Sequence, residues 1–250
     1  MIGEQFILAA QLLTILPLPS MSQVSPADLG RSMRYYPLVG LGLGTMLAAV
    51  QYSLSHWLPA LPVATIALVL LVILSGALHM DGFADMCDGF YKGRNKTEIL
   101  SIMKDSHSGA MAVVGIACLF ALKLSFLWSL PQAILPRTLI LMPAAGRWAM
   151  VLLASSSSYA RSEGGTAKGY VDHAGLKEAA IAALSIGLAG GLILHGTGLV
   201  ILLGVSLFAL IFRQYVISKI GGVTGDVLGA CGEMSECIFL LGICLASGGR

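Results

Sequence analysis

The run "VATIALVLLVILSGAL", residues 63–78, holds no charged side chain, and "HMDGFADMCDGF", residues 79–90, follows it at once with three aspartates. Runs like the first recur along the chain, at about 38–56, 60–79, 109–130, 138–156, 179–194, 198–217 and 235–248. A helix needs about 20 mostly apolar residues to cross a bilayer. Of the 250 residues, 56% are hydrophobic and 11% charged, and the mean hydropathy is +0.84. Soluble domains are about 25% charged, and a soluble core of this size could not hide so many apolar side chains. The expected fold is all-α: a polytopic integral membrane helical bundle of about six to seven transmembrane helices, forming one domain over 1–250. Residues 5–16 are too short to span and predict an interfacial or re-entrant N-terminal helix. With Glu4 and no basic n-region, the N-terminus makes a poor signal peptide and is expected to stay in the mature chain. "LHGTG" around His195 predicts a tight turn between two helices.

If seven spans alternate, eleven basic residues fall on one side. They are Arg31, Arg34, Lys92, Arg94, Lys96, Lys104, Arg161, Lys168, Lys177, Arg213 and Lys219. The loops "SHWLPALP" and "HGTG" opposite have none, so the positive-inside rule makes the charged face cytoplasmic. A net charge of +2 gives no sign of a nucleic-acid partner. The five cysteines, Cys87, Cys118, Cys231, Cys237 and Cys244, form no C-x-x-C pair and read as small packed hydrophobes.

If the second span continues as a helix past His79, then Asp81, Asp85 and Asp88 at i, i+4 and i+7 share an arc of roughly 60°. Three carboxylates that close repel one another unless a cation lies between them or their pKa values rise. An oxygen-only donor set selects hard cations, Mg²⁺ or Mn²⁺ before Ca²⁺, and Mg²⁺ is often held by one or two carboxylates plus substrate phosphates. Gly82 and Gly89 each cost about 1 kcal/mol relative to Ala in a helix, which predicts that something bulky, such as a diphosphate, approaches the backbone. A solvated acidic helix end explains one such aspartate better than three on one arc.

Downstream, Lys92, Arg94, Lys96 and Lys104 are candidates for neutralising phosphate oxygens, although ordinary positive-inside charge accounts for any one of them. "KDSHSG", residues 104–109, packs a cation, an anion, two hydroxyls and a histidine where the chain re-enters lipid. In "KIGGVTGDVLGACGEMSE", Gly221, Gly222, Gly225 and Gly229 predict irregular backbone. At membrane depth that is tolerated only inside protein or along a cavity, so Asp226 becomes a fourth candidate ligand, with Glu233 and Glu236 candidates for orienting the last helix. Lys123 and Arg147 interrupt apolar runs and are expected to be paired. His79 and His107 lie on the charged face without an evident partner. Gly40, Gly42, Gly44, Gly187, Gly190 and Gly191 permit close helix packing within the chain or in a homo-oligomer.

"HMDGFADMCDG", "IMKDSHSG" and "GGVTGDVLGA", in this order, together with "LLTILPLP" and "RSMRYYPLVGLGLG", resemble the cobalamin synthase (adenosylcobinamide-GDP ribazoletransferase) family over essentially the whole chain. His107 stands where that family is expected to have Arg, which predicts a weakened phosphate contact, and Ala112 stands near an expected Gly. The resemblance implies a Mg²⁺-dependent transferase of the bacterial inner membrane. It joins adenosylcobinamide-GDP to α-ribazole or α-ribazole 5′-phosphate and releases GMP. It implies Asp81, Asp85, Asp88 and Asp226 as metal ligands, with Asp85 and Asp88 catalytic. Arg34, Lys92, Arg94, Lys104, Asp105 and His107 are then substrate contacts. The aspartate block is also similar to the CDP-alcohol phosphotransferases, but Asp85 stands where those enzymes place an Arg. A divalent-cation transporter would hold its carboxylates nearer the bilayer midplane.

Overall fold

The computed structural model describes residues 2–19, 24–105 and 107–248, so Ser106 of "KDSHSG" lies outside the described residues. The chain is helical almost throughout. A short entry unit holds α1 (Ile2–Leu13) and α2 (Pro26–Ser32), the latter started by a Ser25–Asp28 capping box. There follow α3 (Tyr36–Leu54), α4 (Ala60–Leu74), α5 (Leu78–Lys92), α6 (Lys96–Ile102), α7 (Ala110–Ser129) and α8 (Leu135–Ser155). The chain closes with α9 (Lys168–His173), α10 (Leu176–Ile220) and α11 (Gly225–Ala246). Among the described residues, five stretches are long and apolar enough to cross a membrane, or six if α4 and α5 count as one bent span. The all-α membrane bundle is therefore the observed architecture.

α8 is its axis, buried along most of its length from Leu135 to Ala154. It packs antiparallel to α3, where Gly40 meets the Ala144 backbone and Gly44 the carbonyl of Ile140. It crosses α11 where Gly232 faces Met150 and the Gly146 backbone. α7 runs parallel to α11: the Cys237 thiol faces the Leu119 carbonyl and the Cys244 thiol the Phe126 carbonyl. The N-termini of α3, α7 and α11 and the C-terminus of α8 thus share one face. Arg137, in the first turn of α8, lies at the opposite end.

Two sequence expectations change. The second span does not continue straight past His79. Gly76 (φ 61°) and Ala77 (φ 55°) adopt left-handed backbone, and α5 leaves α4 at 90°. The Ile15 N–H donates to the Leu74 carbonyl at 2.9 Å, so the segment after α1 satisfies the end of α4. At His195 the expected turn is present but short: φ 55°, ψ −142° breaks α10 into two arms. Gly198 then packs on the Gly190 carbonyl and Leu202 reaches Gly190. Of the glycines noted in the sequence, Gly40, Gly44 and Gly190 serve packing inside the chain, while nothing lies within 4 Å of where a Cβ would sit on Gly42 or Gly187.

The buried cations are paired, as expected, and their partners are two glutamates of α11. Lys123 donates to Glu233 and, at 2.6 Å, to Glu236, and Arg147 Nη1 donates to the other oxygen of Glu236. Glu233 and Glu236 therefore tie α11 to α7 and α8 from inside. All five cysteines are free thiols, most of them packed among apolar neighbours.

Candidate active site

α5 is amphipathic. Met80, Phe83, Ala84 and Met86 are buried, while Asp81 is exposed, Asp85 half-buried and Asp88 buried. The helix runs outward along α11 in the opposite direction. A Cβ on Gly82 would lie 2.7 Å from the Asp226 Cα, and one on Gly229 would lie 3.0 Å from the His79 Cα. The glycines thus answer to a neighbouring helix rather than to a ligand: Gly82 faces α11, and Gly89 faces the Met103 side chain and the Ile99 carbonyl at the end of α6. This close crossing is what sets Asp226 beside the aspartate arc.

α11 begins cleanly. Gly221 (φ 73°) caps α10, and Thr224 Oγ1 accepts from the Val227 N–H to start α11. The irregular backbone expected from the glycines is confined to 221–224. There Val223 forms a parallel bridge with Tyr159: the Ala160 N–H donates to the Val223 carbonyl at 2.9 Å, and the Val223 N–H to Ser158 at 2.9 Å. Gly222 is required at this bridge, because a Cβ there would lie 2.5 Å from the Ser158 carbonyl.

The bridge delivers Arg161, whose Nη2 donates to Asp226 Oδ2 at 3.2 Å, as does Thr224 Oγ1. Asp81, Arg161, Thr224 and Asp226 line a cavity of about 320 Å³, with Tyr36, Tyr159 and Tyr170 among its other walls. Asp85 feels the negative charges of Asp81, Asp226 and Asp88, opposed by Arg161. Burial pushes the Tyr159 phenol above its ordinary pKa, against the pull of Arg161, so it remains a neutral hydroxyl at neutral pH. His79 is buried at the cavity wall, and its Nε2 has no hydrogen-bond partner among the described residues.

The other sequence candidates are placed differently. Asp88 turns away from the cavity. It pairs with Lys92 Nζ at 2.7 Å and accepts from the Gly109 N–H, which docks the start of α7 onto α5. Lys92 is therefore engaged by Asp88. Asp105 accepts from the His107 ring at 2.7 Å and from its N–H at 3.0 Å; the ring contact and then the N–H hold its carboxyl below the usual range. Arg34 donates to Gln5 at 3.0 Å and lies 3.9 Å from Glu178, tying α1 to α10. The Arg94 N–H donates to Glu98 at 2.9 Å. Lys104 is 3.9 Å from Glu163, at the rim of a second cavity.

Sequence reasoning missed Arg161, Tyr159 and Thr224 as site residues. Arg161 stood out only as one of many positive-inside charges, whereas Thr224 in "TGD" carried a local signal, a helix N-cap two residues before the key carboxylate.

Among the described residues, no three His, Cys, Asp or Glu side chains converge into a ready metal cage. The charged donors at the α5–α11 crossing are carboxylates, with the Thr224 hydroxyl and the unpartnered His79 Nε2 beside them. The carboxylates suit a hard cation completed by substrate phosphates, because Mg²⁺ commonly takes only one or two protein carboxylates.

The cobalamin-5-phosphate synthase family model matches residues 5–244. The chain belongs to the adenosylcobinamide-GDP ribazoletransferase family. A relative of that name from Geotalea daltonii is 37% identical over 98% of both chains. Another from Desulforamulus reducens is 39% identical over 94% of both. One from Stutzerimonas stutzeri is 37% identical over 97% of this chain and 98% of its own. No solved structure matches. Like its family, the protein is a transferase of cobalamin synthesis, and the membrane bundle described above is the scaffold on which the family's motifs are displayed.

Proposed function

We propose that the protein joins adenosylcobinamide-GDP to α-ribazole or α-ribazole 5′-phosphate, releasing GMP, on the cytoplasmic face of the bacterial inner membrane. The observation that carries this reading is the crossing of α5 and α11, which sets Asp81 and Asp226 in one cavity with Arg161, with Asp85 one turn along α5 from Asp81. The nucleophile is the ribazole hydroxyl. Its oxygen attacks the phosphorus on the cobinamide side of the diphosphate, the bond from that phosphorus to the bridging oxygen breaks, and GMP departs with that oxygen. Such transfers depend on positioning and charge stabilisation more than on covalent chemistry by the protein.

Asp81, Asp85 and Asp226 are the residues that would hold Mg²⁺ beside the diphosphate, where the ion would neutralise phosphate charge. Asp85, half-buried among like charges, takes the hydroxyl proton. Arg161 faces the charge that develops on the departing phosphate. Asp88 acts as a positioning residue: through the Gly109 N–H it fixes the start of α7 against α5, the helix that carries Asp81 and Asp85.

The test is product formation by purified protein in detergent. The corrinoid product and GMP are expected in equal amounts only when both substrates are present, with either form of ribazole tried. EDTA should abolish turnover and added Mg²⁺ restore it. GMP release without ribazole would mean simple hydrolysis, and CMP release from CDP-diacylglycerol with a polyol would favour a lipid head-group enzyme instead.

A further inference from the structure

A second cavity adjoins the first. It has a volume of about 680 Å³, and the two share Arg161 and Gly165 in their walls. That volume lies in the range, roughly 300–1,000 Å³, that accepts a drug-sized ligand. Its polar lining is Lys96, Thr97, Ser101, Lys104, Arg161 and Ser162. Glu163 is the one carboxylate among the described lining residues, and it is exposed, 3.9 Å from Lys104. Three cations against one carboxylate, with three hydroxyls between them, make a site for a phosphorylated ligand. The first cavity has the opposite balance, with Asp81 and Asp226 against Arg161 alone.

Arg161 joins the two. One of its terminal nitrogens is held by Asp226, while its buried Nε has no hydrogen-bond partner among the described residues. Gly164 (φ 87°) and Gly165 (φ 159°) curl the intervening loop, and a Cβ on Gly165 would strike the Tyr159 hydroxyl. Neither Lys92 nor Arg94, singled out from sequence for phosphate, lines this space.

Resting on the reaction proposed above, we propose that this basic cavity is the guanylate subsite: it receives the guanosine 5′-phosphate half of the substrate and holds GMP as it leaves. The scissile diphosphate then lies at Arg161, where the cavities meet. The carboxylate-lined side faces the attacking hydroxyl and the lysine-lined side takes the departing phosphate. An in-line displacement places attacking and leaving oxygens on opposite sides of phosphorus, and two unlike cavities meeting at one arginine provide that polarity.

The test is equilibrium binding to the full-length protein in phosphatidylcholine nanodiscs, which removes anionic lipid as a competitor. GMP, guanosine, α-ribazole and α-ribazole 5′-phosphate are the probes, with wild type compared to Lys96→Ala/Lys104→Ala. Loss of charged contacts to phosphate is expected to weaken GMP binding about 10-fold or more. α-Ribazole binding should be unchanged, which also shows that the variant is folded, and Lys96→Arg/Lys104→Arg should keep most of the GMP affinity. Equal GMP affinity in wild type and the alanine variant would overturn the assignment. So would weakened α-ribazole 5′-phosphate binding with GMP unaffected, which would give the cavity to the nucleophile's phosphate. A wild type that binds GMP but forms no corrinoid product would count against the reaction and leave the subsite standing.

Discussion

Replacing Glu236 by Gln is expected to destabilise the folded protein by about 3–5 kcal/mol, the usual cost of stranding a buried charge. Glu236 is fully buried and touches two cations: one carboxylate oxygen meets Lys123 and the other Arg147. With Gln, two buried cations face the single carboxylate of Glu233. Arg147 suffers most, because its Nε and Nη2 already have no hydrogen-bond partner among the described residues. Lys123 keeps Glu233. The double change Arg147→Met/Glu236→Gln removes the stranded charge and should recover much of the loss, since a Lys123–Glu233 pair remains. Thermal unfolding in one fixed detergent reads both effects. Equal midpoints for wild type and Glu236→Gln would show that the network is not what holds α7, α8 and α11 together.

The second large effect is on activity. Two contributions oppose one another at Gly82. Alanine is favoured over glycine inside a helix by about 1 kcal/mol, which alone would make Gly82→Ala stabilising. The new methyl, however, would lie 2.7 Å from the Asp226 Cα and 2.8 Å from its carbonyl oxygen. Both are backbone atoms and cannot rotate away, so α5 and α11 must separate and the Asp81–Asp85–Asp226 arrangement opens. A misplacement of about 1 Å can cost roughly 100-fold in rate. Gly82→Ala is therefore expected to lower the turnover number about 100-fold in a protein that remains folded. Gly42→Ala is the control, with nothing within 4 Å of the new atom, and should leave turnover unchanged. A Gly82→Ala enzyme at the wild-type rate would mean that the crossing does not set the site.

Much of the site was legible because its signals are local. The i, i+4, i+7 spacing of Asp81, Asp85 and Asp88 is a property of one helix, and Asp226 stood out from the glycines around it. What the spacing could not show is that Asp88, on the same arc, is claimed by Lys92 one turn on and by the N–H of Gly109. Nor could it show that Gly82 and Gly89 make room for protein. The bend before α5 was hidden because "SGAL" is apolar enough to continue a span, and only the left-handed backbone at Gly76 and Ala77 reveals the break. Arg161 and Asp226 are 65 positions apart and meet through one backbone bridge, while Lys123 is 110 and 113 positions from its partners. Contacts of that range leave no periodic trace in a sequence. That Lys123 and Arg147 must have partners was evident from the cost of charge in lipid; which partners they have was not.

In the proposed reaction, carboxylates of α5 and α11 hold a divalent ion against the substrate diphosphate. The most direct measurement is GMP release against Mg²⁺ concentration at saturating substrates, for wild type and Asp85→Asn, each shown to be folded by its unfolding midpoint. No release is expected from wild type without the ion. Asp85→Asn should need more Mg²⁺ and reach a maximal rate at least about 100-fold lower, because a group acting as ligand and base is lost. Equal maximal rates at equal Mg²⁺, or a wild-type rate indifferent to the ion, would contradict this role of the ion.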